Sequence, residues 1–285
     1  MSNLKLGIQK SGRLSEKSLE IISKCGIKYS NSTNKLVTVC DNFPLEILFL
    51  RDDDISGYVA DGVIDIGIVG ENTLVEGQHK VTLNKKLGFS RCRLSLAVPK
   101  NFEYNSLKDL QGKSLATSYP VILKDYLDKN GVSADIHLIT GSVEIAPSIG
   151  LADAICDIVS TGSTLISNGL KEVETIFKSE AVLISNSNLS ADKSVILDKL
   201  LFRIESVQHA LNHKYIILNC PDSSIEAIKK ILPGIKSPTV TPLADEGWSS
   251  ISSVINENEF WEKIEQIKSV GAQGILVMPI EKMIY

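Results

Sequence analysis

Short apolar runs alternate along this chain with stretches whose apolar residues recur every three or four positions, the rhythm of an α/β protein. Leu4-Lys5-Leu6-Gly7-Ile8 predicts a strand, and Leu14, Leu19, Ile22 and Cys25 then predict a helix that Gly26 closes. Leu36 to Val39 and Leu45 to Leu50 read as two more strands, the second running into Arg51-Asp52-Asp53-Asp54. Three adjacent acids can mark a metal site. Here Ile55, Tyr58 and Val59 follow at helical spacing, so N-capping and the helix dipole account for the acids. Leu94 to Pro99 is a fresh apolar strand, Ser106 to Lys113 a turn of helix and Ser114 to Thr117 a strand. A helix over Val121 to Asn130, a strand over Asp135 to Ile139, a short helix from Glu144 and a buried strand over Ala154 to Val159 come next. Strands near Glu174 to Phe177 and at Ala181 to Ser185, then a helix through Leu200 and Ile204, lead out of this region.

Two segments resemble each other. Gly62 to Leu74 and Gly150 to Leu165 both run glycine, apolar residue, acid, buried strand, glycine turn and closing Thr-Leu, which suggests two similarly built α/β halves. The boundary between them is expected near Lys100. This gives a first lobe over 1–99 with a return segment over 181–212, and a second lobe over 100–180. A return through paired strands would make a hinge with a ligand cleft between the halves. From 213 to 285 the pattern changes. A strand over Tyr215 to Asn219, a helix over Ser224 to Leu232, an extended Pro238 to Leu243, a strand over Trp248 to Ile255, a helix over Phe260 to Val270 and a strand over Gly274 to Met278 give the β-α-β-β-α-β order of a ferredoxin-like domain.

Composition narrows the function. The 285 residues carry a net charge of -4 with scattered Lys and Arg, so no nucleic-acid face is evident. The five cysteines lie far apart with no Cys-x-x-Cys pair, and no histidine has metal-ligand spacing, so reduced thiols and no protein-held metal are expected. Met1 to Lys5 leads straight into a strand without a signal-peptide core, and no apolar run reaches membrane-span length, so a cytoplasmic protein is expected.

The candidate chemistry sits where Asp157-Ile158-Val159 runs into Ser160-Thr161-Gly162-Ser163-Thr164. If Ser163 opens a helix, the amides of this turn converge on one concavity, Gly162 lets the backbone come close, and the hydroxyls add donors for a phosphate. Asp157 at the rim could accept hydrogen bonds from sugar hydroxyls. The same residues also suit plain strand-turn-helix punctuation, since Ser and Thr are ordinary N-caps. There is no Lys after the glycine and no Gly-x-Gly-x-x-Gly, which excludes the common nucleotide loops. Lys10 and Arg13, on the turn after the first strand, are either ligand-binding cations or solvated surface charges.

Several motifs together resemble the long, self-regulated form of the ATP phosphoribosyltransferase family. They are Gln9-Lys10-Ser11-Gly12-Arg13-Leu14-Ser15, Arg51 to Ile55, Asp65 to Asn72, Cys92-Arg93-Leu94-Ser95-Leu96-Ala97, Ala116 to Pro120, Gly141 to Glu144, the Asp157 to Leu165 run and Leu276 to Met283. The resemblance covers the whole chain. It implies two catalytic lobes like those of type II periplasmic binding proteins, followed by a ferredoxin-like (ACT-like) regulatory domain. It implies transfer of phosphoribosyl from phosphoribosyl pyrophosphate to N1 of ATP, the first step of histidine biosynthesis, with histidine as feedback inhibitor. Ser160, Thr161, Gly162, Ser163 and Thr164 would hold the phosphate and Asp157 the ribose. Lys10, Arg13 and Leu14 would lie on the ATP side, with Lys10 and Arg13 catalytic. Tyr119 and Glu144 match family motifs without an assigned role. Asn219, Ile235, Thr239, Val254 and Gly274 would surround histidine, Asn219 standing where some relatives carry an acid. Mg2+ would ride on the substrate phosphates, and the family assembles as homo-oligomers from dimer to hexamer. The rival reading is a two-lobed solute-binding protein without chemistry, which the missing signal peptide and the third domain disfavour.

Overall fold

The computed structural model describes residues 3–30 and 36–285; Met1 and Ser2, with which the first lobe was expected to begin, lie outside them. The chain divides into two compact units, Met1–Asp198 and Lys199–Tyr285.

The first unit contains two sheets. One lobe is built from β1 (Leu4–Gln9), α1 (Arg13–Lys24), β2 (Val37–Val39), β3 (Leu45–Leu50), α2 (Asp52–Ala60), β4 (Ile66–Gly70), α3 (Glu71–Gly77) and β5 (Thr82–Lys86). The other holds β6 (Cys92–Pro99), β7 (Ser114–Thr117), α4 (Pro120–Lys129), β8 (Asp135–Leu138), β9 (Ala154–Val159), α5 (Ser163–Ser167) and β10 (Leu170–Ser179). Then β11 (Ala181–Ser185) rejoins the first sheet, and α6 (Ala191–Leu211) follows, its residues from Lys199 onward belonging to the second unit. The strand orders are β2-β3-β1-β4-β11-β5 and β10-β6-β9-β7-β8.

The two sheets are wired alike. β1 lies parallel between β3 and β4, and β7 lies parallel between β8 and β9. An antiparallel strand, β11 or β6, then flanks β4 or β9. The repeated acids account for part of this. Asp65 accepts the Lys5 amide at 2.8 Å and Asp153 accepts the Ser114 amide at 2.9 Å, so each acid pins the start of its lobe's central parallel strand. The central strands are apolar because both faces are covered: Ile66, Ile68 and Val69 of β4 are buried, as are Ile155 and Cys156 of β9. Gly7 and Gly67 pair in register. A Cβ on Gly67 would lie 2.6 Å from Ile55 Cγ2, so the bare backbone is what lets α2 seat on the sheet.

Three expectations are corrected. The lobe boundary is not at Lys100, because β6 pairs with β9 and β10 in the second sheet, so the chain crosses between Lys86 and Cys92. It crosses back through Glu180 alone, and the crossings are tied together by Leu87 N–H to the Ala181 carbonyl at 2.8 Å and Ala181 N–H to the Phe89 carbonyl at 3.0 Å. Asp52, Asp53 and Asp54 occupy the first turn of α2, where they suit the dipole, but the N-cap is Arg51 and no side chain caps the helix. In α1 the buried stripe is Ser15, Ser18, Ile21 and Ile22, whereas Leu14 is only half-buried.

The second unit carries β12 (His213–Pro221), α7 (Ile225–Ile231), β13 (Thr239–Pro242), β14 (Trp248–Asn256), α8 (Glu257–Ser269) and β15 (Gln273–Pro279). They form an antiparallel sheet of order β13-β14-β12-β15, the ferredoxin-like arrangement. Ile216, Leu218, Ile251 and Ile255 pack with Ile228, Phe260 and Ile267 of the two helices. Strand alternation turns Tyr215, Asn219 and Val254 to the opposite face, where they keep solvent exposure.

Candidate active site

The buried strand β9 ends at Val159, and the chain then turns through Ser160, Thr161 and Gly162 into α5. Gly162 has φ +84°, the left-handed conformation that bends successive amides toward one side. The Thr161 and Ser163 hydroxyls lie 3.0 Å apart, and Ser160, Thr161, Ser163 and Thr164 are exposed. The helix is shorter than the sequence reading requires. At five residues α5 has little macrodipole, so anion attraction here rests on the turn's own amides and hydroxyls.

Asp157 is half-buried at the base of this turn and accepts the Ile158 amide at 2.8 Å. Burial pushes its carboxyl up from the ordinary range and the Glu144 carboxylate pushes it further, while the Ile158 amide opposes both. A ligand with hydroxyl donors would relieve that desolvation. The structure thus brings Glu144 to Asp157. It brings Tyr119 there too: burial raises the Tyr119 phenol, and the charges of Asp157 and Asp52 act in the same direction.

Tyr119 also bridges the lobes. Asn72 of α3 donates to its hydroxyl at 3.1 Å, and the Asn72 side chain accepts from Ser179 at 2.7 Å. One turn along α3, the Glu76 carboxylate accepts the amides of Val121 and Ile122 at 2.8 and 3.0 Å, so an acid of the first lobe caps the α4 helix of the second. Glu76→Ala is expected to destabilise the protein by about 1–2 kcal/mol by uncapping that helix. Urea denaturation measures this, and wild-type stability would show that the cap contributes nothing.

Among the described residues, cavities open between the lobes. One, of about 410 Å³, is bounded by Asp53, Thr73 and Glu76 on one side and by Ser118, Tyr119 and Thr140 on the other. The second, of about 400 Å³, is lined by Ser160 together with Glu71, Arg91, Arg93, Lys178 and Glu180, where the strands cross between lobes. Lys10 is exposed on the turn after β1, Arg13 is exposed as the first residue of α1, and Leu14 beside it is half-buried. Neither cation forms a side-chain hydrogen bond or ion pair among the described residues.

In the second unit, Asn219 and Gly274 meet across β12 and β15: a Cβ on Gly274 would lie 3.5 Å from Asn219 Nδ2. Thr239 pairs with Ser252, and Ile235 and Val254 line a cavity of about 290 Å³. Among the described residues no group of three His, Cys, Asp or Glu side chains is placed to hold a metal ion. No helix among them is long and apolar enough to cross a membrane. Glu76 and Ser179 carry no sequence signal, and Asn72 only as the end of the Asp65 to Asn72 motif, because their roles arise from contacts between the lobes.

Comparison with known proteins bears on what this cleft does. A family model for ATP phosphoribosyltransferase matches residues 51–206, and one described as "HisG, C-terminal domain" matches residues 210–282. An ATP phosphoribosyltransferase of Cytophaga hutchinsonii is 60% identical over 281 residues, covering 99% of this chain and 98% of its own. The chain belongs to the ATP phosphoribosyltransferase family. A second relative, the ATP phosphoribosyltransferase of Phocaeicola vulgatus, is 56% identical over 99% of both chains. Among solved structures, the Thermotoga maritima "ATP phosphoribosyl transferase (HisG:HisZ) complex" contains a chain that is 30% identical, with a TM-score of 0.59, covering 71% of this chain and 98% of that one. As an ATP phosphoribosyltransferase the protein is an enzyme of the first step of histidine biosynthesis.

Proposed function

We propose that the cleft aligns phosphoribosyl pyrophosphate and ATP so that adenine N1 displaces pyrophosphate from C1 of the ribose, giving phosphoribosyl-ATP. The observation that carries this reading is the exposed, left-handed Gly162 turn at the end of β9 with Asp157 at its base. In this reading Ser160, Thr161, Gly162, Ser163 and Thr164 hold the 5-phosphate, and Asp157 accepts the ribose hydroxyls. Adenine N1 is already a lone-pair nucleophile and pyrophosphate already a leaving group, so alignment and charge stabilisation suffice without a protein nucleophile. Magnesium arrives as part of the phosphorylated substrates, in keeping with a turn that offers donors to phosphate and few ligands to a metal. Lys10, Arg13 and Leu14 face the ATP side, and the enzyme works in the cytoplasm.

The β12–β15 domain is the histidine sensor in this reading, using Asn219, Ile235, Thr239, Val254 and Gly274 between subunits of a homo-oligomer, dimer to hexamer. Histidine would inhibit by favouring one assembly over another.

Mixing the protein with ATP, magnesium and phosphoribosyl pyrophosphate and following the adduct in the ultraviolet tests the reaction. No adduct from folded protein would refute it. In the same assay Arg13→Ala should lose kcat/KM corresponding to roughly 2 kcal/mol, the size of a charge-assisted contact. Wild-type kinetics would make Arg13 a solvated surface charge.

A further inference from the structure

Arg93, in β6, sits opposite Val159 in the β6–β9 register, directly beside the start of the phosphate turn. Its Nε and Nη2 grip the Glu172 carboxylate of β10 at 2.5 and 2.6 Å, and its Nη1 donates to the Ser160 carbonyl at 3.1 Å. The Arg93 hydrogen bonds hold the Glu172 carboxyl below the usual range, with the Ser95 and Thr175 hydroxyls acting in the same direction. The guanidinium charge is therefore already matched by a carboxylate, so Arg93 is poorly suited to hold phosphate directly. What remains is its third contact. A carbonyl oxygen directed at a phosphate would repel it, and Ser160 supplies the first carbonyl of the turn. Engaged by Arg93, that oxygen is held toward β6, away from the amides that follow, of which Ser163's donates to the Thr161 hydroxyl at 3.5 Å.

We propose that Arg93 is a positioning residue for phosphoribosyl binding: held by Glu172, it fixes the Ser160 carbonyl and so sets the orientation of the Ser160–Thr164 turn. The assignment rests on the turn being the phosphate site. It requires the planar fork of arginine. Lysine keeps the charge but cannot offer two parallel donors to Glu172 and a third, fixed in the same plane, to Ser160.

The test compares Arg93→Lys, Glu172→Gln, Gly162→Val and wild type in the full-length protein, with ribose 5-phosphate as the calorimetric probe and steady-state KM for each substrate. Arg93→Lys should weaken ribose 5-phosphate and raise KM for phosphoribosyl pyrophosphate about tenfold, as loss of a hydrogen bond to a charged group implies, and leave KM for ATP unchanged. Glu172→Gln should move the same quantities in the same direction by less. A purely structural ion pair would lower the melting temperature and leave both affinities intact, which would overturn the proposal. If Arg93→Lys does not fold, Glu172→Gln decides. Should Gly162→Val lose ribose 5-phosphate while Arg93→Lys and Glu172→Gln bind it normally, the positioning role alone falls. Should Gly162→Val also bind normally, the phosphate reading falls and the proposal with it.

Discussion

Gly162→Val is expected to bind phosphoribosyl pyrophosphate about a hundredfold more weakly or worse while remaining folded. The effect does not come from crowding in the free protein, since a Cβ on Gly162 would meet nothing nearer than Val159 Cγ1 at 3.9 Å. It comes from the backbone. At φ +84° a β-branched residue is strained, and relaxing toward negative φ swings the neighbouring amides out of the concavity. Two misdirected hydrogen bonds to a charged phosphate, at roughly 1.5–3 kcal/mol each, account for about that loss. The valine side chain would also occupy space that a ligand needs against the turn. The fold should survive, because Gly162 itself belongs to neither buried cluster of the lobe. Titration calorimetry with phosphoribosyl pyrophosphate measures the affinity, and an unchanged value would remove the phosphate from this turn.

A chain ending at Asn212 should lose histidine inhibition altogether, whatever activity it retains. The cut removes β12 to β15 and with them Asn219, Thr239, Val254 and Gly274. It also frees the Ser206 carbonyl, which accepts the Met283 amide at 2.8 Å, so weaker assembly or lower solubility is expected as well. Gly274→Val offers a milder version. Gly274 has φ +57° and stands against Asn219, so a branched side chain there should shift the histidine inhibition constant with kcat unchanged. Full histidine sensitivity in the truncated chain would place the sensor elsewhere.

Elements whose signal is local were legible in the sequence. β9 and β11 fall at the residues their apolar runs indicate, because central strands covered on both faces need unbroken hydrophobicity. β10 was read as Glu174 to Phe177 but extends over Leu170–Ser179, since an edge strand with charged residues and two register shifts has no clean alternation. β5, Thr-Leu-Asn-Lys-Lys at the other sheet's edge, was not foreseen for the same reason. Membership of β6 is not legible, because adjacency in the chain says nothing about which sheet supplies hydrogen-bond partners. In the candidate site, the strand, the glycine turn and the helix opening at Ser163 are legible from residue type, whereas the left-handed conformation of Gly162 is a finding of the structure. Glu76 on the α4 amides and Arg93 on Ser160 are not legible, because each joins residues brought together by the sheets rather than by the chain.

The paired crossings give the cleft its mechanics. Two separate threads would let the lobes bend, twist and slide independently. Here Glu180 is the whole of one connection, and Ala181 is bonded on both sides to the other through Leu87 and Phe89. Opening the lobes about these crossings would therefore have to bend a hydrogen-bonded pair of segments together rather than two free threads. In the proposed reaction, a sugar phosphate seated on the second lobe would be presented to the first by motion about that paired hinge.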